Sequence, residues 1–448
     1  MKQIICIVLV AALGIFVNRT IPLSIQDTQN QKPIRSKSLR LARIPYGEKQ
    51  NTAPLSPLGV DDVFEPGELD MDVDGSSVGP YRIRVSEDGK YSIIYFNKKL
   101  ILINNKSSNI EREIFVGKDS YVDFANSKIY SIFHKTVHKD YVDEKGVIRV
   151  GATEELWQFE VYTLNGVLLK AETEALNSAL SRAIKAGWKP RWAYILYADS
   201  KNNIYLVEDD SFWRLSLQQL PPILQISPSG SINYINIKID SKFLKSNNNY
   251  IIQMIVKNER IYICAYFDPV KTVLSIKNKK NKPVRWGYPL QQLDIFIFNF
   301  NGEFINHYHT KFNEMENKKY AIDKDFYDIV RIDDKNRLYI KSFVDGSVWY
   351  HMNCEIKKDN IESITIDEDL PDVIDLPTFA IIPYIIWMYD PEKQIWQIKA
   401  KVEEPVYGGS FSPKTSCWDV DAQGNLYYLK WTKDALEVWM VPANESRK

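Results

Sequence analysis

Asp333-Asp-Lys-Asn-Arg-Leu-Tyr339-Ile decides the fold of this chain, because the same phrase keeps returning. An acidic residue, a short polar turn, an apolar residue and a tyrosine recur at Asp421-Ala-Gln-Gly-Asn-Leu-Tyr427-Tyr-Leu and Asp199-Ser-Lys-Asn-Asn-Ile-Tyr205-Leu-Val. Looser copies read Ser86-Glu-Asp-Gly-Lys-Tyr91-Ser-Ile-Ile, Ala125-Asn-Ser-Lys-Ile-Tyr130-Ser-Ile and Lys257-Asn-Glu-Arg-Ile-Tyr262-Ile-Cys. Asp, Asn and Gly tolerate the left-handed backbone of a tight turn, so the polar part predicts a hairpin. The tyrosine then puts a large amphipathic ring on a pleated strand.

A second phrase interleaves with the first. Phe159-Glu-Val-Tyr-Thr-Leu-Asn165-Gly166-Val-Leu-Leu alternates, turns at Asn-Gly and alternates again. Leu293-Asp-Ile-Phe-Ile-Phe-Asn-Phe-Asn301-Gly302-Glu-Phe-Ile does the same, and Leu224-Gln-Ile-Ser-Pro-Ser229-Gly230-Ser-Ile-Asn-Tyr-Ile is a looser copy. Turn, strand, strand, Asn-Gly, strand is the content of one four-stranded antiparallel blade of a β-propeller. The tyrosines are unevenly spaced, from 39 residues (91 to 130) to 88 (339 to 427), which a fixed-period solenoid tolerates poorly. A propeller absorbs such variation in excursions from blade ends, and two are visible, His134 to Glu155 and Pro269 to Gln292. Each lies between the tyrosine phrase and the Asn-Gly phrase of one blade. The last gap holds another hairpin, Ile385-Ile-Trp-Met-Tyr-Asp390-Pro-Glu-Lys393-Gln-Ile-Trp-Gln-Ile, so six blades are favoured and seven remain open.

This alternation resembles the six-bladed propellers of the NHL-repeat and TolB-like type, in which an Asp/Asn-Gly turn and an apolar-aromatic step mark each blade. The resemblance covers roughly residues 81–442 and implies architecture only, since fold does not fix function. The WD-repeat type fits badly, because the lone Trp418-Asp419 precedes a blade turn. Within the all-β pattern one short helix is predicted between blades over Glu172 to Ala186. Its apolar residues Ala175, Leu176, Ala179, Leu180, Ala183 and Ile184 form a single stripe, and Gly187 ends it. The final phrase stops at Val441-Pro442, too early for a fourth strand, so an N-terminal strand is expected to close the ring, with Tyr81–Val85 the candidate.

Ahead of the repeats, Lys2 and the apolar run Ile4 to Val17 read as a signal-peptide core. The run is short of the ~20 residues that span a bilayer, so a cleaved signal is favoured over an uncleaved anchor for residues 1–20. Residues 21–60 are polar and proline-bearing and are expected to be a disordered linker, with a propeller domain over 61–448. The expectation is an exported protein, periplasmic, cell-surface or secreted. Arg35, Lys37, Arg40 and Arg43 make the linker basic, which suits a solvated tether or, less well, anionic lipid. Lys plus Arg equals Asp plus Glu at 57 each, and such neutrality argues against nucleic-acid binding. Of the four cysteines, Cys6 lies in the apolar run and Cys264, Cys354 and Cys417 are far apart, so buried hydrophobes are expected before a disulfide framework.

Candidate chemistry is thin. Asp70-Met-Asp72-Val-Asp74-Gly75 has calcium-loop spacing, but Tyr81 stands where a closing Glu belongs, so calcium would be weak and an acidic turn is the plainer reading. His307 and His309 share a strand face, the spacing of a sheet metal site, without an identifiable third ligand. His134 and His138 are a weaker pair. No cofactor is expected: the chain has neither a Gly-x-Ser-x-Gly elbow nor a glycine-rich phosphate loop. Trp188, Arg191 and Trp192, with Arg285 and Trp286, combine aromatic and guanidinium groups at blade ends and are the candidate ligand or partner surface, although ordinary packing is the favoured reading. The leading reading is a monomeric, non-catalytic scaffold binding a protein or small molecule through its excursions. Its rivals are a propeller hydrolase or lyase with a site at the channel mouth, and a structural envelope component. Three or more His, Asp, Glu or Arg converging at one channel mouth would displace the scaffold reading in favour of the enzyme.

Overall fold

The computed structural model describes residues 38–47, 52–53, 80, 82–96, 99–116, 120–138, 141–149, 153–188, 193–208, 220–243, 249–267, 273–277, 283–287, 292–311, 330–343, 361–365, 379–393, 395–407, 416–432 and 434–443. The described strands form six antiparallel radial sheets, the blades of a propeller, whose first strands pack around a common hub. Blade 1 is β2 (Arg82–Val85), β3 (Tyr91–Tyr95), β4 (Leu100–Asn104) and β5 (Asn109–Ile114). Blade 2 is β6 (Ser120–Asp123), β7 (Lys128–His138) and β10 (Thr153–Thr163), with a small hairpin β8 (Tyr141–Val142) and β9 (Ile148–Arg149) between the last two. Blade 3 is β11 (Ala193–Ala198), β12 (Ile204–Glu208), β13 (Ile223–Ile226) and β14 (Ile232–Ile235).

Blade 4 comprises β15 (Asn249–Lys257), β16 (Arg260–Phe267), β19 (Gln292–Asn299) and β20 (Phe304–Lys311), interrupted by the excursion strands β17 (Val273–Lys277) and β18 (Pro283–Gly287). Blade 5 is β21 (Val330–Ile332), β22 (Leu338–Phe343), β24 (Phe379–Asp390) and β25 (Ile395–Tyr407). The hairpin at Asp390 therefore completes this blade and does not begin a seventh. Blade 6 is β26 (Trp418–Val420), β27 (Leu426–Trp431) and β28 (Ala435–Val441).

The ring is closed from the N-terminus, but not by the expected strand. β1 (Leu39–Pro45) pairs antiparallel with β28, from Leu39 opposite Met440 to Pro45 opposite Ala435, and supplies the outer strand of blade 6. Arg82–Val85 instead opens blade 1 as its innermost strand. The propeller thus reclaims part of the stretch read as linker. Ala42 and Ile44 face inward and are buried, while Arg40 and Arg43 pair with Glu437 and Arg43 with Asp434.

Blade 2 departs from the four-strand plan. Helix α1 (Lys170–Lys185) stands where its outer strand would be, with Leu176, Ala179, Leu180 and Ala183 buried in the seam between blades 2 and 3. Asn177 Oδ1 accepts from the Phe159 N–H at 2.6 Å, its Nδ2 donates to Phe159 O at 3.0 Å, and Thr173 Oγ1 accepts from the Val161 N–H at 3.1 Å. Two polar side chains one helical turn apart thus satisfy the β10 edge that a neighbouring strand would have satisfied. The helix, predicted between blades, packs between blades 2 and 3 along the β10 edge.

Candidate functional site: one tied face and one elaborated face

The tyrosine phrase builds the turn between the first two strands of each blade. In blade 5, Asp333 Oδ1 accepts the backbone N–H groups of Lys335 and Arg337, while Oδ2 takes Arg337 Nε at 2.6 Å and the Tyr339 hydroxyl at 3.0 Å. Asp199 with Asn203 and Tyr205 repeats this in blade 3, and Asp421 with Asn425 and Tyr427 in blade 6. The residue three beyond the aspartate is left-handed in each, Asn202, Asn336 and Gly424, which explains the Asn or Gly at that place. The tyrosines then reach the next blade: Tyr262 Oη donates to Asn336 Oδ1 at 2.9 Å and Tyr130 Oη to Asn202 Oδ1 at 3.3 Å. The phrase is therefore a staple between blades as well as a turn.

These turns also tie one face of the ring together. Lys257 opens the shorter turn of blade 4, and its ammonium meets Glu87 of blade 1 and, at 3.5 Å, Asp334 of blade 5. Blade 1 lies three places round a ring of six, so this contact crosses the axis. Backbone bonds from Ala422 N–H to Glu87 O and from Asp334 N–H to Ala422 O, at 3.0 and 3.1 Å, bind the turns of blades 5, 6 and 1 in series.

Within the hub, the inner strands of blades 5, 6 and 1 bring together Arg331, Asp419 and Arg84. Asp419 Oδ1 accepts Arg331 Nε at 2.8 Å and faces Arg84 at 3.5 Å, and its Oδ2 accepts the Val85 N–H at 2.9 Å. Arg331 also donates to Ser416 Oγ at 2.6 Å and lies over the Trp418 ring at 5.2 Å. Numerically this meets the count that would favour an enzyme. Arg331 and Asp419, however, have side chains only 7% and 8% exposed, and they are joined to each other in the wall between blades. Guanidinium groups stay charged in proteins and supply no general base. The arrangement can hold a wall together, and Arg84, 29% exposed, is its most exposed member.

The opposite face carries the elaborations. All first strands run toward the tied face, so connections between second and third strands emerge on the other one. The β8–β9 hairpin of blade 2 and the β17–β18 hairpin of blade 4 both leave there, as the spacing predicted. Blade 5 adds a third excursion over 344–378, whose strand β23 (Ile361–Thr365) pairs parallel with β17 and forms a three-stranded sheet across two blades. In the sequence, this long gap read as room for another blade.

The candidate surface residues separate in the structure. Trp188 is buried beneath α1, 6% exposed, in the core between blades 2 and 3. Arg285 and Trp286 lie on β18 of the blade 4 excursion, opposite Ile276 and Ser275. Arg191 and Trp192 fall outside the described residues, as do the apolar run and Asp70–Gly75. Arg84, Arg331 and Asp419 were not found from sequence, since they lie on three separate strands up to 335 residues apart. The available signal was a charge inside short inner strands, Val330-Arg-Ile332 and Trp418-Asp-Val420.

Burial pushes the Cys264 thiol up to about 12, so this free cysteine is a packed hydrophobe with no nucleophilic thiolate near neutrality. Cys417 is likewise buried and in no disulfide. Among the described residues, no three His, Cys, Asp or Glu side chains are placed to hold a metal ion, and no helix is long and apolar enough to cross a membrane.

No protein-family model matches the chain, and no curated protein matches its sequence. Among solved structures it is similar to a protein described as TolB from Agrobacterium tumefaciens, at 9% identity and a TM-score of 0.36, over 81% of this chain and 90% of that one. The Cps50 (Swd1) β-propeller domain of Myceliophteria thermophila is similar at 7% identity and a TM-score of 0.33, over 81% and 96%. The WD40 domain of SCAP from fission yeast is similar at 8% identity and a TM-score of 0.25, over 82% and 83%. The six radial sheets themselves establish the chain as a six-bladed β-propeller.

Proposed function

We propose that this chain is a non-catalytic, exported binding scaffold that presents its elaborated face to a protein or small-molecule ligand. The observation that carries this reading is the asymmetry of the ring. One face is knitted by short turns and cross-axis contacts, whereas excursions from blades 2, 4 and 5 gather on the other. Loops on a rigid scaffold are where recognition residues usually sit. Arg285 and Trp286 lie on β18, within the blade 4 excursion of that face.

Export is supported by the apolar run after Lys2. β1 begins at Leu39 beside Met440, at the tied-face end of blade 6. A chain held at its N-terminus would therefore turn the elaborated face away from its point of attachment. The test replaces 139–152 and 268–291, separately and together, with short Gly-Ser turns. All three variants are expected to melt like the parent, and the double replacement to lose partners captured by cross-linking in native extract; capture that survives the double replacement overturns the proposal. Mass measurement of the mature N-terminus, with cell fractionation, tests export.

The enzymatic reading rests on the hub cluster alone. Turnover of ester or glycosidic substrates by the intact protein, abolished in Asp419→Asn with the fold intact, would displace the scaffold reading.

A further inference from the structure

The excursions of blades 4 and 5 meet in one small sheet whose strands come from two places in the chain. β17 and β18 are a hairpin of the blade 4 excursion. β23 comes from the blade 5 excursion and lies parallel to β17, Val273 opposite Ile361 through Lys277 opposite Thr365. A parallel neighbour cannot arrive through a tight turn, and its slanted bonds hold slightly less well per residue than antiparallel ones. In the order β18-β17-β23, its pairing among the described strands is with β17 alone. Residues 344–360 separate it from β22, and 366–378 from β24. Blade 5 keeps its own ladder of β22 against β24, from Leu338 opposite Tyr389 to Phe343 opposite Tyr384, in which β23 has no part.

β23 is thus a strand added to the hairpin from outside it, which is how an extended peptide binds a sheet edge. We propose that the β17 edge is a docking site for an extended peptide segment of a partner protein, paired parallel to β17, and that β23 is the internal strand which the partner displaces. This rests on the elaborated face being the recognition face, and it names the kind of partner. The register sets Trp286, Ser275 and Ser363 in one row and Arg285, Ile276 and Ile364 in the next. A docked peptide takes the β23 positions, two strands from the backbone positions of Arg285 and Trp286. β23 itself, Ile361-Glu-Ser-Ile-Thr365, shows what the edge accepts: β-branched residues at three of five places and no proline. Main-chain bonds supply the affinity of such docking, and alternate side chains the choice of sequence.

The test uses the full chain and a variant in which a Gly-Ser linker replaces 344–378, with a fluorescent peptide of residues 359–367 as the probe, followed by polarisation. The linker variant is expected to melt like the parent and to bind the peptide. The parent is expected to bind at least about 10-fold more weakly, because a tethered competitor acts at a millimolar effective concentration. Should the linker variant fail to fold, Ser363→Pro with Ile364→Pro in the full chain serves instead. One of two neighbouring amides faces β17 in either phase, so this variant also frees the edge and is expected to raise peptide binding. Two further peptides carry methyl groups on the backbone nitrogens of Ile361 and Ser363, or of Glu362 and Ile364. The one whose methylated nitrogens face β17 is expected to lose binding. Binding that survives both methylations, equal binding by parent and variant, or no binding by either altered protein overturns the docking edge. Partner capture by the elaborated face is measured separately, so its loss with peptide binding intact counts against the scaffold reading and not against the edge.

Discussion

The hydroxyl of Tyr339 shares one carboxylate oxygen with Arg337, while the other oxygen of Asp333 holds two backbone amides. Removing the hydroxyl leaves that carboxylate three partners, so Tyr339→Phe is expected to cost about 1 kcal/mol in denaturant unfolding. Asp333→Ala strands a nearly buried guanidinium and two amides, and the expected loss is about 3–5 kcal/mol. The tyrosines also predict a pH response. Burial pushes Tyr95 and Tyr197 up to about 12, and Tyr339 and Tyr427 are raised by burial and by their aspartates. The unfolded chain releases these protons near pH 10 while the folded chain keeps them, so their stabilisation is complete below about 10 and is lost as pH rises through the folded values. Thermal melts should hold between pH 8 and 10 and fall toward 12, less steeply in Tyr339→Phe; an equal slope in that variant would remove the residue from the account. The turn chemistry at these residues was readable because Asp, Asn, Gly and Tyr each do local work. The link from one blade to the next was not, since Asn202 and Asn336 look like turn residues and nothing more.

Two elements show why a secondary-structure pattern can be legible while its role is hidden. The apolar stripe of α1 announced the helix, but Thr173 and Asn177 read as ordinary polar helix surface until β10 is beside them. Asn177→Ala leaves the Phe159 N–H without its side-chain acceptor and is expected to cost about 1–3 kcal/mol, measured by denaturant unfolding. β1 was concealed by Arg40 and Arg43, whose charges suggested a solvated tether; their partners, Glu437 and Asp434, lie almost 400 residues away. Deleting residues 1–37 should leave the melt unchanged, whereas deleting 1–45 exposes the β28 edge and the buried contacts of Ala42 and Ile44. The second deletion is expected to lower the melting temperature by several degrees or to cause aggregation; equal melts for the two would deny β1 its closing role.

Across the whole molecule, counting repeated phrases favoured six blades and left a seventh open, because only the sheet shows that the Asp390 hairpin completes blade 5. The hub could not be counted in that way: Arg84, Asp419 and Arg331 meet only after blades 1, 5 and 6 have come round to one another. The same topology makes a permutation testable. Leu39 and Met440 are paired neighbours, so transplanting residues 39–45 to follow Val441 through a tight turn should preserve the ring. The permuted protein is expected to melt like the parent and, with its closing contact now local, to refold faster. A melt far below the parent, or refolding no faster, would contradict this.

The position of β1 also has a consequence for how the protein is made. Its partner strand lies some 390 residues further along, so the first element of the ring waits through the synthesis of every blade. A product that stops before Ala435 has no β28 to offer Leu39–Pro45. Such a fragment carries a lone sticky strand at one end and an unmatched blade at the other, both of them marks that chaperones and proteases recognise. Sealing the ring with its own first strand makes closure a check that all six blades have been made.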